Sequence, residues 1–143
     1  MAGGVYDEPG GLDVEEPGLL TFALPAVGDS VPDARRRLVA FAREHGAADT
    51  TVANVALCVS EAVTNAIVHG CRRDPSCAIE IVADALDGAI EIVVLDDGPG
   101  LAARVESDGL GLGLGVIAQA SARFAIRDRA PHGTELWMCF ELP

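Results

Sequence analysis

The chain has 143 residues, half of them hydrophobic but only 4% aromatic, so one domain with a core of Val, Ile, Leu and Ala is expected. A formal net charge of −12 repels a phosphate backbone, which argues against direct nucleic-acid binding. All ten basic residues are Arg, and without any Lys a Walker A loop and the Lys-dependent protein kinase site are excluded, leaving backbone amides, Asn, Thr or a metal to hold a nucleotide.

Residues 1–17, rich in Gly, Pro and acid, read as a flexible acidic tail ahead of a domain over 18–143. Leu19 to Leu24 is an apolar run of strand length closed by Pro25, expected as an edge strand. Ser30-Val31-Pro32-Asp33 predicts a helix start with Ser30 as N-cap, the helix running to about His45 and ending at Gly46. Arg35, Arg36 and Arg37 give it a basic patch, either a solvated face or a surface for a partner. A second helix is predicted from Asp49-Thr50-Thr51 through Val68, with Val52, Val55, Val59, Ala62, Val63 and Ala66 as its buried stripe. Glu61 and Asn65 lie four apart on a line away from the centre of that stripe, so core packing does not account for them.

Two strands follow, Ala78–Ala85 and Ala89–Leu95, with Asp87-Gly88 as the hairpin turn. The second delivers Asp96-Asp97-Gly98-Pro99-Gly100, which reads either as an acid at a Gly-rich turn where backbone can approach a ligand closely or as an ordinary surface turn. Gly98 to Ala103 matches a dinucleotide fingerprint, but two adjacent Asp residues and hairpin-linked strands are wrong for a Rossmann unit. Glycines 109, 111, 113 and 115 alternate before an apolar helix to about Ala122, offering free N–H groups to an anion or a glycine zipper for close helix packing. Phe124–Arg129 and Thr134–Leu142 close the chain as strands. The predicted order is β-α-α-β-β-α-β-β, an α+β two-layer sandwich with a mostly antiparallel sheet and helices on one face.

Cys58, Cys71, Cys77 and Cys139 form no CxxC pair and are expected to be reduced, small hydrophobes. No basic stretch precedes an apolar run at the N-terminus, and no window holds about 18 uninterrupted apolar residues, so a cytoplasmic location with no membrane partner is expected.

SEAVTNAIVHG (60–70), DDGPG (96–100), GLGLGLGVI (109–117) and HGTE (132–135) together resemble the N, G1, G2 and G3 boxes of the GHKL ATPase superfamily of gyrase-type ATPases, MutL proteins and histidine kinases. Within it the chain is most similar to the anti-sigma factor serine/threonine kinases, over residues 19–142. The resemblance implies the histidine-kinase-like (Bergerat) ATPase fold, ATP and Mg2+. It implies Asn65 as the Mg2+ ligand, Glu61 as the general base polarising the attacking hydroxyl, and Asp96 as the acceptor for the adenine amino group. Gly98 and Gly100 would let the ring lie close; Gly109, Gly111, Leu112, Gly113 and Leu114 would wrap the phosphates; and Thr134 would support the adenine end. The implied partners are a sigma factor and an anti-anti-sigma protein of the STAS type, and a homodimer is implied on the same ground. Between Gly100 and Gly109 only Leu101 to Asp108 intervene, shorter than the ATP lid of the kinases. That short lid keeps a second reading open, a docking module with or without nucleotide and without kinase activity. An ATPase that only hydrolyses nucleotide ranks third, and a complete histidine kinase is not expected.

Overall fold

Alternation of β-branched and polar residues builds one face of a six-stranded sheet that is antiparallel throughout. The computed structural model describes residues 14–98 and 113–143. Its strands are β1 (Val14–Glu16), β2 (Leu19–Pro25), β3 (Ala78–Leu86), β4 (Ala89–Asp96), β5 (Arg123–Asp128) and β6 (Thr134–Glu141), side by side in the order β1-β2-β3-β4-β6-β5. The α+β two-layer fold expected from sequence is the one observed. β1 lies within the stretch read as a tail and pairs with β2, which is therefore one strand in from the edge.

The helices are α1 (Ser30–Glu44), α2 (Asp49–Asn65) and α3 (Leu114–Ala120), and α2 runs on into a π-turn, Ala66–Gly70. Ser30 is not the N-cap. Asp29 holds that position, and the buried Ser30 hydroxyl instead donates to the Pro25 carbonyl at 2.6 Å, tying the helix to the end of β2. Gly46 ends α1 in the left-handed region, φ +84. The basic patch on α1 is smaller than its three arginines imply. Arg37 lies half-buried over the Phe22 ring at 4.7 Å, and Arg36 and Arg37 both pair with Asp33.

Helix α2 buries Val52, Val55, Cys58, Val59, Ala62 and Val63 between α1 and the sheet. Each fully buried Val contributes about 1.5–3 kcal/mol relative to exposure. Asp49–Gly70 has the length and mean hydropathy, 1.5, of a bilayer-crossing helix, but half of it is buried against this core, which accounts for its composition. Opposite it lie Phe22, Ile79, Ile81, Ile90, Ile92 and Met138, all on the helix-facing side of the sheet.

Strand parity then positions the polar residues. Asp96 continues the inward row Ile90, Ile92, Val94, and Thr134 begins the inward row Leu136, Met138, Phe140. Register pairs Asp96 with Thr134 directly, so a carboxylate and a hydroxyl stand side by side at one end of the core. A one-residue slip would turn both outward. The Asp87-Gly88 hairpin holds the β3–β4 part of that register, with φ of +55 and +77.

Candidate functional site

A carboxylate at the end of a core row must be held, since an unpaired buried charge is costly. Asp96 is 3% exposed, and its Oδ1 accepts a hydrogen bond from the Gly98 amide at 2.9 Å. Three glycines crowd around it. A Cβ on Gly70 would overlap the Asp96 carboxylate, one on Gly98 would overlap the Gly70 carbonyl, and one on Gly133 (φ +110) would overlap the Asp96 carbonyl. From the far side, Arg129 donates to the Asp96 carbonyl at 3.1 Å and to Asp97 Oδ1 at 3.2 Å. His132 Nδ1 donates to the Asp97 carbonyl at 2.9 Å. Beside this cradle the Thr134 hydroxyl, on a residue 2% exposed, has no hydrogen-bond partner among the described residues. A buried hydroxyl without a partner next to a held carboxylate is the pattern expected where a polar ligand completes the set.

The second half of the site comes from α2. Asn65 is 5% exposed, while Glu61, one turn earlier, is half-buried. Gly113, φ +76, lies directly on them: a Cβ there would come 2.8 Å from Glu61 Oε2 and 3.2 Å from Asn65 Nδ2. Only glycine lets the backbone come this close with that dihedral. Leu114 follows as the first residue of α3 and packs against the core, which anchors the end of the glycine run. The helix read as regular to Val68 instead widens into the π-turn just after Asn65, a feature frequent at functional sites. That turn delivers Gly70 to Asp96, so the two halves share one wall.

Of the residues singled out from sequence, Glu61, Asn65 and Gly113 are brought together, and Asp96 forms a second group with Gly98, which lies with it against Gly70, and with Thr134, its partner in register. Gly100, Gly109, Gly111 and Leu112, and the short lid Leu101 to Asp108, lie outside the described residues. Sequence reasoning missed Gly70, Gly133 and Arg129. Both glycines follow a histidine inside the recognised boxes, which was the available signal; Arg129 had none. The cysteine expectation is corrected in part. Cys58 and Cys139 are free and buried, but Cys71 and Cys77 form a disulfide, because the end of the π-turn and the start of β3 bring their Cα atoms to 5.7 Å.

The close approach of Gly98 to Gly70 is testable. Gly98→Ala is expected to destabilise the fold by about 3 kcal/mol, since the clash is with backbone and not with a movable side chain. Gly28→Ala, whose Cβ meets nothing within 4 Å, should stay within about 0.5 kcal/mol of wild type. Urea unfolding midpoints of the two variants check the contrast.

Comparison with known proteins matches these elements. Residues 24–140 match the family described as histidine kinase-like ATPase domain. An anti-sigma F factor from Shouchella clausii is 32% identical over 82 residues, 57% of this chain and 56% of that protein. One from Oceanobacillus iheyensis is 24% identical over 134 residues, 86% of this chain and 92% of that protein. In the Shouchella match and in one to Geobacillus stearothermophilus, the chain spans about half the length of the relative, 56% and 47%. Among solved structures, the RsbU and RsbW domains of Rv1364c from Mycobacterium tuberculosis align with a TM-score of 0.66 at 26% identity, over 87% of this chain and 32% of that one. The catalytic domain of the histidine kinase ThkA aligns with a TM-score of 0.54 at 13% identity, over 85% of this chain and 95% of that one, a likeness of fold. Matched over most of its length, with the same sheet-and-helix architecture, the chain belongs to the histidine kinase-like ATPase domain family of the GHKL superfamily.

Proposed function

We propose that the chain is a cytoplasmic anti-sigma-factor-type regulator that binds ATP with Mg2+ and passes the γ-phosphate to a serine or threonine of a STAS-type anti-anti-sigma protein. In the same reading it sequesters a sigma factor. The relatives named anti-sigma F factor support the partner class. The observation that carries the chemistry is Gly113 lying on Glu61 and Asn65, at the end of the glycine run.

The residues fit the ligand. An adenine amino group donates hydrogen bonds, and Asp96 presents an acceptor; the Thr134 hydroxyl, without a partner among the described residues, supplies a donor beside it. The glycines at 70, 98 and 133 leave room where side chains would fill the cradle. Among the described residues no cluster of three His, Cys, Asp or Glu could hold a metal alone, so Mg2+ would rely on phosphate oxygens with Asn65 as its protein ligand. Mg2+ supplies the positive charge that a chain of net −12 lacks. Glu61 accepts the proton of the attacking hydroxyl, and Asn65, one turn away, fixes the end of the phosphate chain at the same place.

Calorimetric titration of ATP into the protein, with and without Mg2+, tests the reading. Micromolar affinity that needs Mg2+ is expected. Thr134→Val, which keeps shape and removes the hydroxyl, should weaken binding about 5–20-fold, the worth of one hydrogen bond in a buried site. Absence of binding at millimolar ATP would leave the docking-module reading, with the exposed Arg35 and Arg36 as the surface to probe.

A further inference from the structure

The connection from the π-turn to β3 is short and closed by the Cys71–Cys77 disulfide. Inside it, Arg72 and Arg73 stand in succession at φ of +53 and +61. Non-glycine residues rarely take that region, and two in a row persist only where the surroundings over-determine them. The surroundings here are local. The Arg73 amide donates to the Ile67 carbonyl at 2.8 Å, and the Asp74 amide donates to the Cys71 carbonyl at 3.1 Å. Ser76 donates twice to Asp74 Oδ1, and the disulfide joins the two ends.

This closed loop is also a wall. Cys71, Arg72, Asp74 and Cys77 border an open cavity of about 530 Å³, with Asp97 and Gly98 across it. Cys71 directly follows Gly70, the residue packed against the Asp96 carboxylate. Whatever fixes Cys71 therefore fixes the position of Gly70 relative to Asp96.

We propose that Cys71–Cys77 is a thiol–disulfide exchange site whose oxidised form holds the nucleotide site in its binding geometry and whose reduction weakens nucleotide affinity. The inference rests on the nucleotide-binding reading above. The co-reactant is a dithiol reductant. Its thiolate attacks the sulfur of Cys77, which is half-buried where Cys71 is 5% exposed, and the Cys71 sulfur leaves as a thiolate and takes up a proton. The second thiol of the reductant then attacks the mixed disulfide at the reductant's own sulfur and releases Cys77 as a thiol. Two electrons and two protons pass to the protein, and the reductant ends as a disulfide. The other cysteines stand outside this exchange. Cys58 and Cys139 are buried, and burial first, then the nearby Glu61 charge, push the Cys58 thiol up to about 11. With the bridge open, nothing covalent keeps Arg72 and Arg73 left-handed, and binding must re-order the loop each time.

Titration of Mg2+-ATP into air-oxidised and dithiothreitol-reduced protein decides the matter. The reduced form is expected to bind roughly ten-fold more weakly, within the usual range of coupling between sites. A Cys71→Ser, Cys77→Ser double variant should match the reduced form and ignore dithiothreitol; if it does not fold, the two redox states of the wild type carry the comparison. Coupling is reciprocal, so saturating ATP should lower the midpoint potential of the pair by about 30 mV for a ten-fold effect. Alkylation and mass mapping in redox buffers reads that shift. Equal or tighter binding by the reduced form, or recovery of both cysteines as thiols after oxidation, overturns the inference and leaves ATP binding standing. No binding in either state sinks the nucleotide reading and this one with it.

Discussion

Glu61→Gln is expected to reduce phosphate transfer to a partner serine by about 10²–10⁴-fold, the usual worth of a general base, while ATP affinity stays within about two-fold of wild type, since the change is close to isosteric. Gln keeps the length and the hydrogen-bonding capacity of the side chain but cannot take up a proton. Glu61 is half-buried on the side of α2 away from the core stripe, so the substitution leaves the packing of Val59, Ala62 and Val63 untouched. Gly113 approaches through its backbone and makes no demand on the charge. The checks are transfer of labelled phosphate to an acceptor protein and titration of ATP. A built-in control reports on the charge itself. Glu61 is the second cause, after burial, of the raised Cys58 thiol pKa of about 11, so the variant should titrate Cys58 lower but still above the ordinary 9.0. Unchanged transfer together with a lowered Cys58 pKa would show that the charge is gone and that it was never the base.

How much of this was legible in the sequence follows from the range over which each feature is determined. The α2 stripe, the Asp87-Gly88 hairpin and the alternation in β3 and β4 are local, and they appear where the residues place them. Asp96 and Thr134 are singled out only through the resemblance of their boxes to the family, and that they stand side by side is set by the β4–β6 register. The π-turn was not legible. Ala66 and Ile67 stay buried and continue the stripe, and only the hydrogen-bond partner moves, as in the Cys71 amide donating to the Ala66 carbonyl at 2.6 Å. The disulfide was equally hidden, since six residues of separation set no distance until the π-turn and β3 meet. Arg129, the residue just past β5, reaches Asp96 across 33 positions of chain, a contact that exists only in the folded sheet. Ser30 had the residue type of an N-cap but met a stronger partner in the Pro25 carbonyl. β1 is three residues long and two of them are acidic, too little for periodicity to register.

Asp96→Asn is expected to weaken ATP binding by at least about 100-fold: under the proposed function Asp96 is the acceptor for the adenine amino group, the substitution replaces one of its oxygens by a donor, and two donors facing each other in a buried site repel. The fold should survive, since the remaining amide oxygen can still accept from Gly98, the Arg129 contact is to the backbone carbonyl, and the volume is nearly the same. Loss of affinity alone would not distinguish base reading from a disturbed cradle. Inosine triphosphate does. It carries a carbonyl where ATP carries the amino group, so wild type should bind it poorly and Asp96→Asn should favour it over ATP, the amide now donating to the carbonyl. Reversal of preference in calorimetric titrations would place the adenine edge at Asp96. An equal loss for both nucleotides would instead assign Asp96 to holding Gly98 and Gly70 in register, and the specificity of the site would have to come from Thr134.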